Sequence, residues 1–241
     1  MGALIQSELI KGRRTFGRRC IFIFTLAIAL FSSILMGGNL TQIGAYNWWY
    51  MILLPVSLAL LCTNVIESEK RNHYFNILVL PKPKERIWQA KILTVLLYLL
   101  AANTLIFVFT SIGGYIFGAQ YPVWRGICAA IVLTWTVAWQ IPLGMFLAVR
   151  FHSSVTLIAF IGLNVICSGQ PIAGGNMWYI PYAIPARLMA PIIGVNPNGI
   201  PLEANSPLQS TNVILPGLII TLILFVVVSL ITSMWFIRRS E

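Results

Sequence analysis

Apolar residues run along this chain in six long stretches separated by short polar breaks. The stretches are Cys20–Gly37, Trp48–Ile66, Ile92–Phe117, Gly126–Val149, Val155–Ser168 and Val213–Ile237. Runs of this length without charge predict transmembrane helices, since a span needs about 20 apolar residues. The pattern therefore predicts an all-α integral membrane protein whose six spans cover about 20–37, 48–66, 92–117, 126–149, 153–171 and 213–237. The fifth run is short. Its fourteen residues, Val155–Ser168, reach roughly 21 Å as a helix, against a hydrocarbon core of about 30 Å. It must start earlier, continue past Gly169, or stop within the membrane. Pro55 and Pro142 are expected to kink the second and fourth spans.

One polar break is unlike the others. Glu67–Lys91 holds three of the six acids (Glu67, Glu69, Glu85) and six of the sixteen basic residues (Lys70, Arg71, Lys82, Lys84, Arg86, Lys91). Tyr74, Ile77 and Leu78 recur at helical spacing within it, which predicts a short amphipathic helix. Pro81 and Pro83 end that helix, because proline lacks an N–H and restricts its predecessor. A solvated loop is the plainer reading of the same composition.

Two further segments depart from the simple pattern. Residues 1–19 are basic but carry Leu4, Ile5, Leu9 and Ile10, which suits an amphipathic helix lying in the membrane interface. A signal peptide is the competitor, and the A-x-A cleavage pattern is missing. Gly169–Asn212 carries seven prolines, yet Met177–Ile184 and Leu188–Val195 are apolar. Such density predicts short re-entrant helices between spans five and six, with protein covering their backbone. Within this segment Trp178 and Arg187 are candidates for contact with substrate or lipid headgroups. The more ordinary role for Arg187 is to cap a re-entrant helix. Gly38–Asn47 is expected to form a polar outer turn, and Trp48, Trp49 and Tyr50 are expected at the outer interface, where amphipathic rings settle.

Composition agrees. The 241 residues are 58% hydrophobic and 9% charged, with mean hydropathy +0.84. Soluble domains carry about 25% charged residues. A single domain over 1–241 is the simplest account of the length. The net charge of +10 would suggest nucleic acid in a soluble chain. Here the charges flank apolar runs, so orientation in a bilayer explains them and no nucleic acid is implied. With both termini inside, fourteen Lys/Arg face the cytoplasm and two, Arg125 and Arg187, face outward. That asymmetry predicts cytoplasmic termini. Cys20, Cys62, Cys128 and Cys167 lie in or beside apolar runs without CxxC spacing, so they read as small hydrophobes.

Several chemistries lack their residues. No ionisable side chain falls at the middle of a predicted span, which argues against a proton relay or ion-coupled carrier. No G-x-x-x-x-G-K-[ST] loop is present, so this chain has no nucleotide site of that kind. The two histidines, His73 and His152, both fall at the inner surface, where neither can activate Ser168. The reading is a non-enzyme with no catalytic residues, no metal site and no cofactor of its own.

The pattern Glu67-x-Glu69, the apolar run Ile77–Leu80, Pro81, Ile87 and Lys91 resembles the cytoplasmic coupling segment of ABC-2 type transporter permeases. The small residue usual after the acidic start is absent; Asn72 and His73 stand near its place. Trp88-x-x-Lys91 and Trp48-Trp49 are more similar to one branch, the lantibiotic-immunity permeases. The resemblance implies that Glu67, Glu69, Tyr74, Ile77, Leu78 and Pro81 couple this chain to an ABC ATPase subunit, with two such subunits binding ATP and Mg. It implies a second permease chain, homologous but different, and a location in the bacterial cytoplasmic membrane. The function implied is expulsion of a lantibiotic or similar cationic antimicrobial peptide, giving self-immunity or resistance. The alternatives are export of another lipophilic substrate, or a membrane scaffold or sensor subunit.

Overall fold

The computed structural model describes residues 1–12, 15–36, 38–71 and 82–239, and the side chains of all of these except Phe16, Asn39 and Arg239. Among them, 83% are helical and no strand forms. Four helices are long and apolar enough to cross a membrane, and a bent pair makes a fifth candidate. These are fewer than the six spans predicted, and the boundaries move for identifiable reasons.

The amino-terminal segment is not one interfacial helix. It divides into α1 (Gly2–Lys11) and α2 (Phe16–Leu35), so the first span begins inside the predicted interfacial stretch. The next helix starts earlier than Trp48. Gly38–Leu40 forms a 3₁₀ turn, and α3 (Thr41–Trp48) follows where an outer turn was expected. It continues through a π-helical turn, Trp49–Leu53, into α4 (Leu54–Arg71), giving one apolar helix over Thr41–Arg71. The polar residues of α3 are satisfied by hydrogen bonds inside the bundle. Gln42 Nε2 donates to the Thr110 carbonyl at 3.0 Å, and Asn47 Nδ2 donates to the Tyr50 hydroxyl at 2.7 Å. Trp49 and Tyr50 are consequently core residues, 0% and 2% exposed, and only Trp48 reaches the surface.

Proline sets the breaks in this bundle. Leu54 N–H bonds back five residues to the Trp49 carbonyl. The wider turn falls just before Pro55, which has no N–H to offer. The fourth predicted span is two helices, α6 (Val123–Val137) and α7 (Gln140–Arg150), bent by 43°. Pro142 cannot bond the Ala138 carbonyl four residues back, and Ile141 N–H takes that carbonyl instead at 3.0 Å. The expected kink is there, displaced one turn toward the N-terminus.

Between these lies α5 (Lys84–Phe117), which begins directly after Pro83 and is the longest helix at 34 residues. It packs on α2, α6 and α11 (Ile214–Arg239). α8 (Ser153–Ser168) has 16 residues, about 24 Å at 1.5 Å per residue, shorter than a bilayer core. It packs against α4 and α7. Gly144 allows that contact: a Cβ there would meet Phe160 at 2.9 Å and Cys62 at 3.0 Å. A short α9 (Gln170–Ala173) follows.

Of the two apolar segments in the proline-rich stretch, Met177–Ile184 forms turns up to Ala183 rather than a helix of its own. The second gives α10 (Ile184–Ile193), which starts four residues before Leu188 and is buried at nine of its positions. It lies against α6. Gly194 closes it in the left-handed region at φ 73°, where a side chain would be strained.

Candidate functional site

Two acids spaced i, i+2 on a helix point to different sides. That fact organises the end of α4. Glu69 is 1% exposed and turns toward α1 and α5. Its Oε1 accepts from Lys91 Nζ at 2.8 Å and from Lys11 Nζ at 2.9 Å. Glu8 closes the figure. Its Oε1 meets Lys11 at 2.8 Å, and its Oε2 meets Lys91 at 2.7 Å. Two carboxylates and two ammonium groups thus alternate in a closed ring with no net charge. Lys91 is 1% exposed and Glu8 8% exposed. Charges this dry are held only when paired. Glu69 Oε2 alone has no hydrogen-bond partner among the described residues.

The ring is electrostatically self-consistent. Burial alone would lower the pKa of Lys11. Hydrogen bonds and charge from Glu8 and Glu69 outweigh that effect, so its ammonium is held above the usual lysine range.

Glu67 turns the other way and accepts a hydrogen bond from Ser153 Oγ at the start of α8. Lys70 Nζ donates to the Ala148 carbonyl at 2.6 Å and to the Phe151 carbonyl at 3.4 Å. A cation at these last carbonyls of α7 meets the negative end of its dipole. His152 then caps α8, its ring accepting from Ser154 N–H.

The start of α5 is equally committed. Trp88 is fully buried, stacks on Phe236 with ring centroids 4.6 Å apart, and donates Nε1–H to Thr232 Oγ1 at 3.2 Å. Residues three apart share a helix face, so Trp88 secures α11 while Lys91 secures α1 and α4. The charged root therefore ties together α1, α4, α5, the α7–α8 turn and α11. Its members Glu69 and Lys91 stand near the end of α4 and near the start of α5.

Of the residues predicted to couple, Glu67 and Glu69 belong to this root and make internal contacts. Tyr74, Ile77, Leu78 and Pro81 lie outside the described residues. At the other end, Trp178 is half-buried. Arg187 is 5% exposed, and its Nη1 donates to the Leu208 carbonyl at 2.9 Å. It fixes the 3₁₀ turn Pro207–Gln209 against α10 rather than facing outward. Sequence reading missed Lys11 and Lys91 as partners of Glu69, and Glu8 as the second acid they share. The available signal was an acid and a base at i, i+3 in α1, and a lysine opening an apolar run.

The arrangement is that of a helical protein with several helices long and apolar enough to cross a membrane and an ion ring at one end. Residues 4–168 match the family model described as ABC-2 family transporter protein. The match covers more than half of the 241 residues, and the chain belongs to that family. No curated protein matches the chain, and no solved structure does. Membership makes this chain a transmembrane component of a transporter that associates with an ABC ATPase; no ATPase domain is evident in it.

Proposed function

We propose that this chain is a permease subunit of an ATP-driven exporter that removes a lantibiotic or similar cationic antimicrobial peptide from the bacterial cytoplasmic membrane. The observation that supports its mechanical half is the ion ring. It joins both flanks of segment 72–83 to α1, so a push on that segment reaches α4 and α5 together. An ATPase docks on the segment through Tyr74, Ile77 and Leu78, with Pro81 ending the docking helix. Glu67 and Glu69 act behind that surface, by holding its root rigid. ATP and Mg sit on two ATPase subunits, and a second, homologous permease chain completes the membrane pathway.

In this reading the chain is one domain that crosses the membrane six times, with α8 and α9 together making the fifth pass and the α10 region re-entrant. Both termini and the ion ring are cytoplasmic. The fourteen-to-two split of basic residues supports this orientation. Single cysteines at Arg125 or Glu203 should then react with an impermeant thiol reagent in intact cells. One at Lys84 should react only after permeabilisation; labelling of Lys84 from outside sinks the topology. The substrate is tested in vesicles that hold the permease, its ATPase and a fluorescent cationic lantibiotic. ATP should move peptide off the membrane into the compartment opposite the ATPase. Retention of peptide, with ATP-driven loss of a neutral lipophilic dye instead, would reassign the substrate class.

A further inference from the structure

The end of the molecule opposite the ion ring carries an open cleft of about 660 Å³. Its walls come from α3, the loop before α6, the end of α10 and the following loop, and include Ile43, Gln120, Arg125, Pro191, Gln209 and Thr211. The lining combines apolar side chains with two amides, a hydroxyl and one cation. The wall beyond α10 is preformed: Leu202 N–H bonds the Gly194 carbonyl at 2.8 Å, and Asn196 N–H bonds the Ile200 carbonyl at 2.9 Å.

Among the described residues, Arg125 is the one cation lining the cleft. Among the described residues no carboxylate pairs with it; all four ion pairs belong to the ring at the far end. Its guanidinium lies over the Trp124 ring at 5.4 Å. Trp124 is 59% exposed and its neighbour Val123 62% exposed. An exposed tryptophan beside an unpaired arginine suits the boundary between headgroups and acyl chains. Arginine is also the side chain whose planar fork best matches a phosphate. The other basic residue at this end, Arg187, is already committed to the Leu208 carbonyl.

We propose that this cleft seats the phosphate headgroup of a phospholipid. Arg125 pairs with the phosphate, the amides of Gln120 and Gln209 face the glycerol, and Trp124 and Val123 meet the first acyl carbons. The apolar part of the lining favours an amphiphile over a free ion. In the topology proposed above, the lipid belongs to the outer leaflet. The site carries the wrong sign to hold a cationic peptide, so it is distinct from any peptide pathway.

The test uses the full-length permease in detergent, with a cysteine at Thr211 and the same protein without it as the blank. Reaction of that cysteine with a soluble thiol reagent is timed with dihexanoyl phosphatidylglycerol, with dihexanoylglycerol lacking the phosphate, and with inorganic phosphate. Phosphatidylglycerol should slow the reaction at least tenfold. Dihexanoylglycerol and inorganic phosphate should not slow it at the same concentration. Arg125→Gln should abolish the protection, and Arg125→Lys should keep most of it. Protection by dihexanoylglycerol, or unchanged protection in Arg125→Gln, overturns the site. Equal protection by inorganic phosphate makes it a free-anion site and overturns the lipid assignment. None of these readouts needs the ATPase, so their failure is separable from failure of the transport reading.

Discussion

The two ends of this bundle solve the problem of polar groups in an apolar protein differently. At the charged end, four full charges close on one another within 2.9 Å. Along the rest of the bundle the buried polar groups among the described residues are neutral except Arg187, which a backbone carbonyl holds. Trp49 Nε1 donates to Asn103 Oδ1 at 2.9 Å, and Asn103 Nδ2 donates to Thr134 Oγ1 at 3.0 Å. Gln140 and Asn164 exchange amide hydrogen bonds. Gln42 bridges the Thr110 carbonyl and Gln120 N–H. Neutral amides keep helices in register at modest desolvation cost, whereas charges inside a bilayer are expensive. The full charges are gathered where α1 meets the flanks of segment 72–83.

The contrast can be broken at either end. Lys91→Met should have the largest effect, because it removes the buried cation and leaves Glu8 and Glu69 sharing only the more exposed Lys11. Removing one partner of a buried pair costs about 3–5 kcal/mol, and thermal unfolding in detergent should show it. Lys91→Met with Glu69→Gln should recover part of that loss, as coupled partners do. In the neutral region, Asn103→Leu strands the Trp49 N–H in the core and should cost about 1–3 kcal/mol. Gly114→Ala belongs to the same range, since its Cβ would collide with the Gln42 amide; overpacking of this kind costs about 1–3 kcal/mol. A smaller loss, about 0.5–1.5 kcal/mol, is expected for Ser153→Ala, which removes only the hydroxyl that meets Glu67.

The smallest effect is a pH dependence. Lys11 has its pKa raised in the fold. Its contribution is therefore complete below the ordinary lysine pKa and is lost as pH rises through the raised value. Unfolding followed into the alkaline range should show a decline in the native protein that Lys11→Met lacks. The same slope in both would remove Lys11 from the account.

Much of the fold was legible because it depends on local pattern. Apolar runs marked the long helices, and Pro55 and Pro142 marked the places where the ladder fails. The boundaries were less legible. Gln42 and Asn47 read as an outer turn because their polarity is visible in sequence while their buried partners are not. Trp49 read as an interfacial residue for the same reason, since Asn103 is 54 positions away. The charged site was hardest. Glu69 was recognised as part of a charged segment, but its partner Lys11 and the second acid, Glu8, come from α1, and the Lys91–Glu8 contact spans 83 positions. Periodicity cannot report such pairings.

The account's central claim is that the ring anchors segment 72–83 and the ATPase docks on the segment itself. The direct measurement is recovery of the ATPase with the permease by pull-down, at equal permease levels, comparing wild type with Tyr74→Ala plus Leu78→Ala. Buried apolar anchors dominate such interfaces, and losing two should weaken docking by about 2–4 kcal/mol. The account predicts that the doubly substituted permease stays folded and loses the ATPase. Undiminished ATPase recovery with that variant would contradict it and move the docking surface to residues 1–19.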